Sequence, residues 1–161
     1  MAIEYDLDCA TPVSAKEVAA RLEEVGRETG LFDASVTGER LVEEGAATRL
    51  GTWIRVVTER PPQPWHPVVT AFGFTPTVTV GFRMAKGVEV ADQQDDMIRL
   101  VAPLLARVEG DVVLHFQFEV VWLLRKDGEL SLSEREDIWP PRRLALVAQP
   151  HRRQTHSMDV D

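Results

Sequence analysis

The chain is predicted to be an α+β protein: a two-layer sandwich, an antiparallel sheet with two helices packed on one face, ferredoxin-like in outline. Three observations carry that prediction. Several short segments alternate apolar and polar residues, Val112 to Leu124 being the longest. Two longer segments repeat apolar residues at helical spacing. The elements follow the order β-α-β-β-α-β-β, with one apolar stripe per helix and one apolar face per main strand. The economical packing puts both helices on the same side of the sheet. The other side is then left bare, and it is where a functional surface is expected.

Ile3, Tyr5, Leu7 and Cys9 alternate with Glu4, Asp6 and Asp8, giving a first strand with an acidic outer row. Thr11-Pro12 stops it. Ser14-Ala15-Lys16-Glu17 reads as a capping box, and Val18, Leu22 and Val25 with Ala15 and Ala19 form the stripe of a helix over residues 14–29. Gly30 ends it where a left-handed residue is needed. Glu39 to Glu44 reads as a short strand or a loose turn. A firmer strand runs from Thr48 to Glu59, around Trp53, Ile54, Val56 and Val57. Arg60 to Pro67 holds four prolines and reads as a stiff loop.

Val78, Val80, Phe82 and Met84 alternate with Thr77, Thr79, Gly81 and Arg83 as another one-sided strand. Asp92 is placed to cap the second helix, with Asp95 and Asp96 in its first turn, where the helix dipole favours anions. Met97, Val101, Leu104, Leu105 and Val108 line its buried side, Pro103 threatens a kink, and Gly110 stops it. In the long strand, Leu114, Phe116, Phe118, Val120, Trp122 and Leu124 face one way; His115, Gln117 and Glu119 face the other. Lys126-Asp127-Gly128-Glu129 carries the Asp-Gly pair of a tight hairpin, returning through Leu130 and Leu132. Trp139-Pro140-Pro141 is a rigid break, Leu144 to Val147 a short apolar return, and His151 to Asp161 a polar end expected to fray.

No repeat or linker divides the chain, so residues 1–161 are expected to form a single domain with 148–161 as a flexible tail. The apolar runs are too short and too interrupted to span a bilayer. Early acidic residues argue against a secretory leader, and a single cysteine, Cys9, suits a reducing compartment; a cytoplasmic location is expected. A net charge of -8 argues against nucleic acid as partner and is compatible with a basic protein. Solubility alone is the plainer meaning of that charge.

The candidate surface is the wet sheet face: Glu4, Asp6 and Asp8, then Thr77, Thr79 and Arg83, then His115, Gln117 and Glu119. A plain solvated face is the simpler alternative. Trp65, on the proline loop beside His66, is a candidate interface anchor, unless it folds back over the sheet edge. Pro61-Pro62-Gln63-Pro64 resembles a short polyproline ligand. His151, Arg152, Arg153 and His156 form a basic cluster able to take phosphate or to dock on the acidic face. His115 with Glu119 and Asp6 has the residue types of a metal or acid–base site, but residues four apart on a strand lie about 13 Å from each other. Phosphate loops, Cys-x-x-Cys, His-Glu-x-x-His and Gly-x-Ser-x-Gly motifs are missing, so no metal and no cofactor is expected.

Several strings are similar to one family: Ala2 to Leu7, Gly51 to Val56, Pro64-Trp65 before Phe72 to Thr77, Gln94 to Met97, Leu114 to Glu119 and Leu123 to Arg125. Together they resemble the Sit-type immunity proteins, partners of swarm-inhibition toxins in bacteria, over Ala2 to about Trp139. The resemblance implies a small non-catalytic cytoplasmic protein that neutralises a cognate toxin delivered by neighbouring cells. It carries no catalytic residues. Two alternatives stand beside it: a ligand-binding or enzymatic domain centred on His115 and Glu119, and a module that pairs with its own copy through an edge strand or the Trp65 loop.

Overall fold

The computed structural model describes residues 2–59 and 63–158. It is a mixed α/β structure in which an eight-stranded open sheet and five helices appear among the described residues. The first strand, β1 (Glu4–Ala10), leads into helix α1 (Ala15–Glu28). Ser14 Oγ accepts the Glu17 N–H at 3.2 Å, the cap that the local pattern predicts, while the Glu17 carboxylate lies 3.6 Å from Arg21. Gly30 follows at φ 73°.

Residues 39–44 are neither strand nor loose turn. Residues 39–43 belong to a short helix, α2 (Gly38–Glu43), with Glu44 as its C-cap; its N-cap Thr37 accepts the Arg40 N–H, and the Gly38 N–H is taken by Glu23. A two-residue strand, β2 (Ala46–Ala47), then borders β3 (Trp53–Thr58). The expected start of that strand at Thr48 is instead a turn, closed by Thr48 N–H to Thr52 O and Thr52 N–H to Thr48 Oγ1.

Of the proline loop, Arg60, Pro61 and Pro62 lie outside the described residues, as does half of the polyproline-like string. Its last proline starts a helix. Pro67 is the first residue of α3 (Pro67–Phe72), and His66 Nδ1 accepts the Val68 N–H. A proline at that position lacks only an N–H that would have no helical partner anyway. Next come β4 (Val78–Arg83) and α4 (Val90–Leu105), a 16-residue helix with Pro103 in its last turn. Glu89, not Asp92, occupies the N-cap, with no side-chain cap bond; Asp92 lies within the first turn, and Asp95 and Asp96, expected there, fall one turn further in.

The segment from Val112 to Leu124 corrects the prediction most. It is a hairpin, β5 (Asp111–Phe116) and β6 (Val120–Lys126), folded back at Gln117, Phe118 and Glu119. Gln117 and Phe118 have φ of 50° and 60°, and Glu119 N–H closes the turn on Phe116 O. A register shift at Leu114/His115 interrupts the pairing. The Asp127-Gly128 turn forms as its residue types predict and leads to β7 (Glu129–Leu132). One helical turn, α5 (Pro141–Leu144), follows. The C-terminal segment, expected to fray, adds β8 (Arg152–Arg153) parallel to β7, and buries Met158.

The strand order is β2-β3-β4-β1-β5-β6-β7-β8, antiparallel except for the last pair. The main core joins Leu22 and Val25 of α1, Leu100 and Leu104 of α4 and the inward residues Leu7, Val80, Val112 and Leu114. A second cluster occupies the opposite face, where Val68 and Phe72 of α3, Phe74 and Met158 cover Val113, Val121 and Leu124. That face was expected to be bare, but α3 and the C-terminal segment cover its β5–β6 half. The β3–β4 half remains open. Among the described residues no helix is long and apolar enough to cross a membrane.

Candidate functional site

Register fixes what stands on the open half. Trp53, Arg55 and Val57 project from β3, Arg83, Gly81 and Thr79 from β4, and Glu4, Asp6 and Asp8 from β1. Cross-strand rows therefore run Trp53–Arg83–Glu4, Arg55–Gly81–Asp6–His115 and Val57–Thr79–Asp8–Val113. Gly81 has no side chain between Arg55 and Asp6, and it floors a groove of about 310 Å³ bounded by Trp53 and Arg83. Gly45 is required for this wall. With φ at 91°, it lies so close under the indole that a Cβ would meet Trp53 Nε1 at 2.5 Å.

The predicted site residues divide by depth. Glu4 and Arg83 are exposed and loosely paired at 3.8 Å. Asp6 is half-buried, and its pKa is raised to about 6, first by burial and then, against the opposing pull of His115, by Asp8, Glu4 and Glu59. Asp8 is only 4% exposed and His115 0%, so neither meets a partner directly. Asp8 Oδ2 lies 2.8 Å from His115 Nε2, and Thr79 Oγ1 lies 2.6 Å from both Asp8 Oδ1 and Glu59 Oε1. His115 Nδ1 accepts the Phe118 N–H, so that nitrogen carries no proton and Nε2–H donates to Asp8.

Above this buried chain sits the hairpin tip. The Phe118 ring stacks on His115 at 4.4 Å between centroids and meets His66 edge-on at 5.6 Å. Gln117 and Glu119 flank it, exposed in the turn rather than aligned along a strand. Trp65, next to His66, is 74% exposed and does not fold back over the sheet. Aromatic residues rarely hold positive φ, and such conformations persist where surrounding contacts over-determine them. Here those contacts are His115 and His66.

Arg55, Trp53 and Val57 belong to this face but were not singled out in the sequence; the period-two alternation of β3 already puts them on one side. Arg55 adds a cation to a row expected to be mostly acidic. The His151–His156 cluster lies elsewhere. Arg152 pairs with Glu129, Arg153 Nε donates to Ser133 O, and His156 meets Ser131 Oγ at 2.9 Å. Among the described residues, no three His, Cys, Asp or Glu side chains converge as a metal site.

A second polar system lies at the start of α4. Asp96, buried, takes Arg49 bidentately at 3.1 and 2.9 Å and Arg99 at 2.7 Å. Asp95 takes buried Arg143 at 2.7 Å and Arg142 at 3.1 Å, and Arg143 also donates to Ile138 O and lies over the Trp122 ring. Gln93 is saturated by Thr52, Ala85 and Val88. These side chains hold α4 and the α5 turn in place; they do not open onto a cavity.

An eight-stranded sheet with helices on both faces and one open, aromatic-edged quarter defines a mixed α/β protein. A family model described as SitI3-like matches residues 3–143, so the chain belongs to the SitI3-like family. This agrees with the resemblance to Sit-type immunity proteins. No curated protein matches the chain, and no solved structure does.

Proposed function

We propose that this chain is a non-catalytic immunity-type protein that binds a cognate bacterial toxin in the cytoplasm and neutralises it through the open sheet face between Trp53 and Phe118. One observation carries the reading. Of the five exposed large apolar side chains among the described residues, Trp53 (40%), Val57, Trp65 and Phe118 (38%) stand on or beside this one face, around Glu4, Asp6, Arg55 and Arg83. Aromatic anchors interspersed with arginine are the composition of protein interfaces. Membership of the SitI3-like family supports a toxin as the partner. The net charge of -8 supports steering of a basic one from a distance.

The fold supports such a role. Its central β1-α1-β3-β4-α4-β5 run, with spatial order β3-β4-β1-β5, supports the ferredoxin-like outline, on which a rigid sheet presents the face. An acid–base centre at His115 and Glu119 is disfavoured, because both His115 nitrogens are engaged and its side chain is sealed.

The test is protection. A toxic domain encoded beside the gene is expressed in bacteria with this chain or with its Trp53→Ala, Trp65→Ala, Phe118→Ala variant. Such anchors each contribute about 2 kcal/mol or more at an interface. Loss of protection beyond what any fall in melting temperature explains is expected, since Phe118 also packs on His115; equal protection by the triple variant overturns the assignment of the face.

A further inference from the structure

We infer that the groove beside the open face receives a segment of the partner polypeptide in which a large apolar side chain stands next to a carboxylate. The inference rests on the partner-binding reading and specifies its chemistry. The groove has a volume of about 600 Å³. Ile3, Trp53, Val88 and Val90 form its apolar wall, and Arg83 and Lys86 are its charged lining. No carboxylate lines it, in a chain whose formal charge is -8.

Its two cations are lightly used. Lys86 is exposed and has no ion pair among the described residues. Arg83 has only the 3.8 Å contact to Glu4, with both side chains more than half exposed. A pair of that kind is worth little and exchanges readily for another carboxylate. Burial of an apolar side chain against Ile3 and Trp53 supplies the affinity. The two cations fix which neighbour that side chain must have.

Long-range charge and local charge thus ask for different things. The net field draws in a basic protein, whereas this groove selects an acidic-apolar loop on its surface. The wall is rigid, since the Trp53 indole rests on Gly45 and Gly51 brings its backbone against Ala85, where a Cβ would meet the Ala85 methyl at 3.2 Å. Rigid walls keep the ordering cost of binding low.

The experiment uses the purified full chain, ¹⁵N-labelled, titrated with three blocked peptides: Ac-Gly-Asp-Leu-Glu-Phe-Gly-amide, its Lys-for-acid counterpart, and its Ser-for-Leu/Phe counterpart. Only the acidic-apolar peptide is expected to shift the Trp53 indole N–H and the Lys86 and Val88 amides. Arg83→Glu with Lys86→Glu should weaken that peptide about tenfold; Arg83→Met with Lys86→Met, which adds no repulsion, should weaken it less. Equal shifts with the lysine peptide, no shifts with any peptide, or unchanged binding in the Glu variant would overturn the inference. If the Glu variant binds the toxin with unchanged affinity, the groove is not the docking site, though the toxin reading stands. If no toxin binds while the peptide pattern holds, the groove stands and the toxin reading falls.

Discussion

His115 Nε2 lies 2.8 Å from Asp8 Oδ2, with both side chains shut off from water, and the other ring nitrogen holds the amide of Phe118 at 3.1 Å. One imidazole therefore ties the first strand to a hairpin tip. His115→Leu leaves the Asp8 carboxylate without its ring donor and Phe118 without its acceptor. The expected cost is about 3 kcal/mol in urea unfolding, the scale for a buried charged group losing a hydrogen bond. Asp8→Asn, whose amide oxygen still accepts the Nε2–H, should cost less. Amide exchange at Phe118 should accelerate in the leucine variant.

Asp6 makes stability fall with rising pH. Its folded pKa of about 6 is above the ordinary carboxylate value of 3.8, so the folded state favours the protonated form. The associated stability is fully present below the unfolded value and is lost as pH rises through about 6. Asp6→Asn, which cannot ionise, should be more stable than the parent at neutral pH. The two should converge by acidic pH near the unfolded value. Denaturation midpoints across that range check the sign.

Asp95 works in the other direction. Burial raises its pKa, but hydrogen bonds and charge from Arg143 and Arg142 outweigh that and hold it below the usual value. Removing the carboxylate leaves Arg143 sealed with no counter-charge. Asp95→Ala should cost about 3–5 kcal/mol, as when one member of a buried pair is deleted. Asp137→Ala, which breaks an exposed pair with Arg135, should leave stability nearly unchanged. Chemical unfolding of both variants at neutral pH makes the comparison.

Gly45→Ala forces a non-glycine residue into φ 91° and drives its Cβ against the Trp53 indole. The conformational penalty alone is about 1–3 kcal/mol. The Trp53 indole N–H resonance should move, and partner affinity should fall by more than the stability loss explains.

Local chemistry was legible where one residue type has one use. Ser14 caps, Gly30 stops and Asp127-Gly128 turns as their side chains dictate. The period-two pattern of β1 and β4 places Glu4, Asp6 and Arg83 on one face, as the register has them. Val112 to Leu124 misled because its alternation runs straight through the turn, and Gln117 and Phe118 are not turn-forming types. The contacts of Phe118 with His115 and His66 hold the reversal in place. Pro67 was taken as a breaker although it also suits a helix start. Asp95 and Asp96 read as dipole partners; Arg99 is within helical reach of Asp96, but Arg49 and Arg142 are 47 residues distant in sequence, beyond any local pattern.

Both borders of the sheet end in strands of two residues, Ala46–Ala47 on one side and Arg152–Arg153 on the other. A border that short offers a foreign strand almost no ladder to extend, and the second presents guanidinium groups besides. Lateral growth into fibres or stacked copies is thereby discouraged at whatever abundance the cell maintains, and visiting molecules are left to meet the broad side of the sheet.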